Sequence, residues 1–125
     1  MPQQEKPRPD LNGQRLLSPG DPMVWFIDEG YRRGVPAEAY RNLFKDKPKP
    51  ITDINTHELP QRPDIYKHAA LVRGSDRTVY LIDSEVKRPI TASAFDKCCF
   101  RSDRVTAVPD IMLSFIPDGS PINWT

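Results

Sequence analysis

The chain has 125 residues, 38% of them apolar and 28% charged, a length and mixture that suit one globular domain with a single core. Eighteen Lys and Arg stand against 17 Asp and Glu, and a net charge of +1 gives no overall field to hold a polyanion, so nucleic acid is not an expected partner. Fourteen prolines favour turns and short elements, and no apolar run approaches the length of a membrane span, so a water-soluble, not membrane-spanning chain is expected.

Residues 1–15 hold Lys6, Arg8 and Arg15, a Lys-Pro-Arg-Pro segment suited to extended polyproline geometry, and no apolar stretch of the kind a secretory signal needs. They are expected to form a flexible N-terminal arm, in a protein that either stays inside the cell or has lost a signal. An opening strand follows at Leu16-Leu17, reversed by Ser18-Pro19-Gly20-Asp21, whose Gly, Pro and Asp favour tight turns. Val24 to Ile27 is short, aromatic and β-branched, and its continuous apolar character predicts a strand covered on both faces. Asp28-Glu29-Gly30 makes a turn into a third strand, Tyr31 to Val35, and Pro36 opens a short helix over Ala37 to Phe44. After an exposed connector, Lys45 to Pro50, come a β segment at Ile51 to Ile54 and a last helical turn before Pro60.

The series then begins again. Residue n beside residue n+55 gives identities at Leu16/Leu71, Asp21/Asp76, Val24/Val79, Ile27/Ile82, Asp28/Asp83, Arg33/Arg88, Ala37/Ala92 and Ala39/Ala94, where chance supplies about two. Trp25/Tyr80, Phe26/Leu81, Arg32/Lys87, Val35/Ile90 and Tyr40/Phe95 are conservative pairs. Past the helix the register drifts: Ile54 resembles Val108, Leu59-Pro60 resembles Ile116-Pro117, and Ile65 resembles Ile122, which requires a short insertion in the second copy. The second copy accordingly predicts strands at Leu71-Val72, Val79 to Ile82 and Val86 to Ile90, and a helix from Ser93 to Phe100 with Thr91 as its cap. Its β segment falls at Val105 to Val108, and its hairpin turn, Asp83-Ser84-Glu85, lacks the glycine. Two copies are too few for a solenoid. The expected fold is therefore α+β, mostly β: two pseudo-symmetric copies of a β-hairpin, short helix and β-strand unit forming one compact domain. Repeat 1 spans 16–65 and repeat 2 spans 71–122, joined by a linker at 66–70.

Leu71-Val72-Arg73-Gly74-Ser75, Val79-Tyr80-Leu81-Ile82-Asp83, Lys87-Arg88-Pro89-Ile90 and Phe115-Ile116-Pro117-Asp118-Gly119 together resemble a short β-rich repeat of exported bacterial cell-surface and cell-wall-associated proteins. Trp25-Phe26-Ile27-Asp28-Glu29-Gly30-Tyr31-Arg32-Arg33-Gly34 is similar to the same pattern, so the resemblance covers about residues 16–122. Glu85 departs from it where the first copy has Gly30, and the tail of the first copy lacks the Gly119 turn. The resemblance implies an accessory, non-catalytic role, secreted or at the cell surface.

The inventory for catalysis is thin. His57 and His68 are the only histidines, neither beside a recognisable nucleophile motif, and no glycine-rich phosphate loop occurs, so no enzyme activity and no cofactor are expected. Cys98 and Cys99 are adjacent, which suits neither a mutual disulfide nor a shared metal, and by register they replace Leu43 and Phe44 as buried helix positions. The pattern that suggests binding is an aromatic three residues before an aspartate with a basic pair behind it: Trp25, Asp28, Arg32 and Arg33, then Tyr80, Asp83, Lys87 and Arg88. A ring can stack on the apolar face of a sugar while carboxylate and guanidinium groups hydrogen-bond its hydroxyls, and two copies would give two sites. The same residues also read as core aromatics, turn-forming aspartates and solvated hairpin charges. Tyr31, at the hairpin tip, is the exposed aromatic candidate. The expected function is a lectin-like binding module for a glycan or cell-envelope component, with a protein-protein interaction module (accessory subunit, inhibitor or toxin component) as the alternative.

Overall fold

The computed structural model describes residues 6–125. Strand β1 (Arg15–Leu17) pairs antiparallel with β2 (Val24–Asp28), which continues antiparallel into β3 (Tyr31–Val35). Helix α1 (Ala37–Leu43) supplies the crossover that a parallel return requires, and β4 (Ile51–Thr52) lies parallel to β1, giving the order β3-β2-β1-β4. The second copy repeats this with β5 (Ala70–Arg73), β6 (Val79–Asp83), β7 (Val86–Ile90), α2 (Ala92–Lys97) and β8 (Thr106–Ala107), in the order β7-β6-β5-β8. It ends in α3 (Asp110–Ser114), where the first copy has only a 3-10 turn at Thr56–Glu58. The fold is thus the expected mostly-β α+β fold of two similar units.

The drift in the repeat has a structural counterpart. Leu17 faces Thr52 while Val72 faces Thr106, so the last strand is reached one residue sooner in the second copy. Arg32 N donates to Pro60 O, and Lys87 N to Pro117 O, so the turn of α3 has then added residues. The segments that follow run beside β3 and β7, with Ile65 N on Gly34 O (2.9 Å) and Ile122 N on Pro89 O (2.8 Å), and so cover two sheet edges.

One apolar cluster draws on both copies, with Phe26 and Phe44 from the first meeting Leu71, Leu81, Phe100 and Ile122 from the second. The copies also join through backbone: Lys45 N donates to Cys99 O and Arg101 N to Leu43 O, which sets Phe44 opposite Phe100. Trp124, past the expected end of the second repeat, packs partly buried against this core.

Residues 8–15 depart from the expected flexible arm of residues 1–15, whose first five residues lie outside the described ones. Arg8 N donates to Gly30 O (3.0 Å), Gly30 N to Asn12 Oδ1 (2.7 Å) and Gly13 N to Ile27 O (2.8 Å), so residues 8–15 are tied to the β2–β3 hairpin. Gly30 makes this possible twice over: its φ is +85°, and a Cβ there would sit 2.8 Å from Arg8 N. Arg15 is buried and donates to Tyr40 Oη (2.7 Å), Lys45 O (2.6 Å) and Pro48 O, pinning the connector behind α1. Leu11 packs on Leu16, Ile27 and Leu59, so the outer face of β2 is covered as expected. Among the described residues nothing equivalent covers β6, where Tyr80 and Ile82 are only half-buried.

Helix α2 stops three residues short of the expected Phe100. Thr91 caps its start as anticipated, accepting from Ala94 N (3.2 Å). At its end Phe100 N reaches Phe95 O and Cys99 N reaches Asp96 O, the Schellman arrangement, which requires a left-handed residue at Cys99 (φ +59°). Glycine is the residue made for that place, so Cys99→Gly is expected to stabilise the fold by about 1 kcal/mol. A thermal melt that falls in this variant would show that the half-buried Cys99 side chain contributes more packing than its backbone strain costs.

Candidate functional site

The identical Asp28/Asp83 and Arg33/Arg88 pairs of the two repeats meet across the pseudo-twofold axis. Each aspartate closes its second strand and each arginine lies in the third, so the hairpins bring all four together between the copies. Arg88 holds Asp28 with two bonds, Nη1 to Oδ2 at 2.5 Å and Nη2 to Oδ1 at 2.9 Å. Arg33 Nη1 lies 2.9 Å from Asp28 Oδ2 and 2.6 Å from Asp83 Oδ2, and Asp83 Oδ1 accepts from Tyr66 N (3.2 Å). The two Nε–H groups donate to equivalent carbonyls, Pro63 O from Arg33 and Ser120 O from Arg88, both at 2.9 Å. Burial alone would push the Asp28 carboxyl up, but Arg88 and then Arg33 outweigh it and hold the group below the ordinary carboxylate range. Burial likewise works against the Arg33 cation, and Asp83 and then Asp28 hold it charged.

This quartet floors an open depression of about 420 Å³ between the two hairpin tips. Glu29, Tyr31 and Arg62 rim it from the first repeat, and Ser84, Val86 and Ser120 from the second. The Arg62 guanidinium sits 3.9 Å over the Tyr31 ring, and Glu29 Oε1 approaches Arg88 Nη2 at 3.8 Å.

Of the nine residues singled out from the sequence, Asp28, Tyr31, Arg33, Asp83 and Arg88 line this one depression. The other four, Trp25, Arg32, Tyr80 and Lys87, form two separate struts away from it. Arg32 lies 4.4 Å over the Trp25 ring and donates to Leu59 O (2.9 Å); Lys87 lies 5.9 Å from the Tyr80 centroid and donates to Ile116 O (2.6 Å). Trp25 is buried, with Nε1 on Asp21 Oδ2 (3.1 Å), Arg32 over its ring and His57 packed against it in a T-shaped pair, so the ring is not open to stack on a ligand. The basic pairs are not the solvated hairpin edges of the alternative expectation, since Arg88 is 5% exposed and Arg32, Arg33 and Lys87 are half-buried. Alternation along a strand explains the split: neighbours such as Arg32 and Arg33 leave opposite faces.

Sequence reasoning missed Glu29, Arg62, Ser84 and Ser120. Glu29 and Ser84 occupy equivalent turn positions, both with positive φ (53° and 59°), and that shared place at the hairpin tip was the available signal. A second, larger cleft of about 1070 Å³ lies in the first repeat, floored by Leu11, Leu16 and Leu59.

Among the described residues no group of three or more His, Cys, Asp or Glu is placed to hold a metal ion, and no helix is long and apolar enough to cross a membrane. Cys98 is buried as expected, and burial pushes its thiol up to about 12, so it is not a ready nucleophile. His57 and His68 are exposed, beside Asp21 (3.1 Å) and Glu38 (3.6 Å) respectively. Comparison with family models, with curated proteins and with solved structures gives no match for this chain.

Proposed function

We propose that this chain is a non-catalytic binding module that seats a small polyhydroxylated ligand, a saccharide unit, in the depression between its two hairpins. The observation that carries this reading is the fixed polar floor: two carboxylates and two guanidinium groups held by one another and by backbone, under a rim of hydroxyls, a carboxylate and an aromatic ring. Such a floor needs little reorganisation when a ligand arrives, and the volume of about 420 Å³ suits one or two sugar rings. The exported, cell-surface setting implied by the sequence resemblance belongs to the same proposal.

A glycan array of the purified chain beside Tyr31→Ala tests it. A saturable glycan signal in the wild type, lost in a variant whose melt stays within about 1 kcal/mol of wild type, is the expected result. A blank array from a folded protein removes the saccharide reading. It would favour the second reading, a protein-interaction module, which draws on Ile111, Met112 and Phe115, exposed at 65%, 56% and 81% on and just after α3.

A further inference from the structure

The two struts match in ring and carbonyl but differ in charge. In the second repeat the Lys87 ammonium, besides facing Tyr80 and Ile116 O, pairs with Asp118 at 2.9 Å. Asp118 lies beside Lys87 in a parallel bridge, and the same bridge in the first repeat sets Gln61 beside Arg32. The internal counter-ion of the second repeat is thus a neutral amide in the first. Arg32 keeps its stacking on Trp25 and its Nε–H bond to Leu59 O, but its terminal nitrogens have no hydrogen-bond partner among the described residues. The carboxylate that acts on it, Asp21, is already engaged by Met23 N, Trp25 Nε1 and His57. Burial accordingly holds the Arg32 pKa below its ordinary value.

Arg32 and Gln61 both line the 1070 Å³ cleft, with Lys6 and Arg8 as further cations, Arg8 being tied to Asp10. Asp53, Asn55 and Glu58 supply acceptors and an amide on the same walls. We propose that this cleft is a second binding site, for a hydroxylated carboxylate of the uronic-acid type, whose carboxylate replaces the missing counter-ion of Arg32. A guanidinium already oriented by a ring and a carbonyl offers its two terminal N–H groups to a carboxylate in the bidentate geometry, and Asp53 and Glu58 accept from ligand hydroxyls. The site shares no residue with the depression on the axis and stands independently of it.

The test is an amide and arginine Nε NMR titration of the full chain with sodium glucuronate, with glucose and sodium chloride as controls. Saturable shifts at residues 55–61 and at Arg32 Nε are expected with glucuronate and not with either control. Gln61→Asp, which installs the carboxylate of the second repeat at an exposed position, is expected to stay folded and to weaken glucuronate binding at least tenfold, while Tyr31→Ala binds as wild type. Equal binding of glucose, unchanged binding by Gln61→Asp, or no saturation by about 10 mM, where a site with a Kd near 1 mM is filled, overturns the proposal.

Discussion

Arg88→Met is expected to destabilise the protein by about 3–5 kcal/mol, which for a domain of this size lowers the melting temperature by roughly 10–20 °C. Methionine fills much of the volume but leaves the Asp28 carboxylate, 7% exposed, without the partner that holds both of its oxygens. It also removes the bond to Ser120 O that fastens the final segment beside β7. The wild-type pH dependence follows from the same contacts. Because the Asp28 pKa is lowered on folding, its contribution is present above the unfolded value of about 3.9 and is lost as pH falls through the folded one. Wild-type melts should therefore fall steeply below about pH 4, and the fall should be shallower in Arg88→Met, whose Asp28 has lost its chief stabiliser. Circular-dichroism melts from pH 7 to pH 2 read both effects. An Arg88→Met melt within about 1 kcal/mol of wild type at neutral pH would mean that the quartet is a solvated surface cluster. Replacing all four members by apolar residues is a different experiment, since no charge is then stranded, and its cost should be much smaller.

The strands were legible because their signals are local. Val24–Asp28 and Val79–Asp83, with β3 and β7 behind them, lie where β-branched and aromatic runs end in turn residues, and the 55-residue offset repeats them without a gap. Helix ends were less legible: α2 stops at Lys97 because Cys99 takes a left-handed conformation that its residue type does not announce. The site was half legible. Asp28, Arg33, Asp83 and Arg88 carry the mark of their role in being charged identities of the two copies, yet a single copy shows only an aspartate and an arginine at a hairpin. Apart from the Asp28–Arg33 contact within the first hairpin, their ion-pair partners lie in the other copy, a relation that no local pattern contains. The same limit hid the anchoring of residues 8–15, since the groups that bond to Asn12 and Arg15 come from Gly30, Tyr40, Lys45 and Pro48.

Phe100→Ala and Phe44→Ala are each expected to cost about 3–5 kcal/mol, because both rings are nearly fully buried where the two copies meet. Their centroids lie 5.3 Å apart at 24°, and Phe26 adds a third ring at 5.3 Å from Phe44 and 6.2 Å from Phe100. The rings also sit on the backbone bridge that joins the repeats, so a cavity here loosens the contact that makes one core of two copies. The double variant should consequently cost less than the sum of the singles, by about 0.5–1.5 kcal/mol, the direct coupling of the aromatic pair. Far-ultraviolet and near-ultraviolet transitions should coincide in the wild type and in each single variant, since neither repeat holds a separate core large enough to stay folded alone. Two resolved transitions in Phe100→Ala, with the first repeat melting apart from the second, would show instead that each copy folds by itself and that the aromatic contact only docks one on the other.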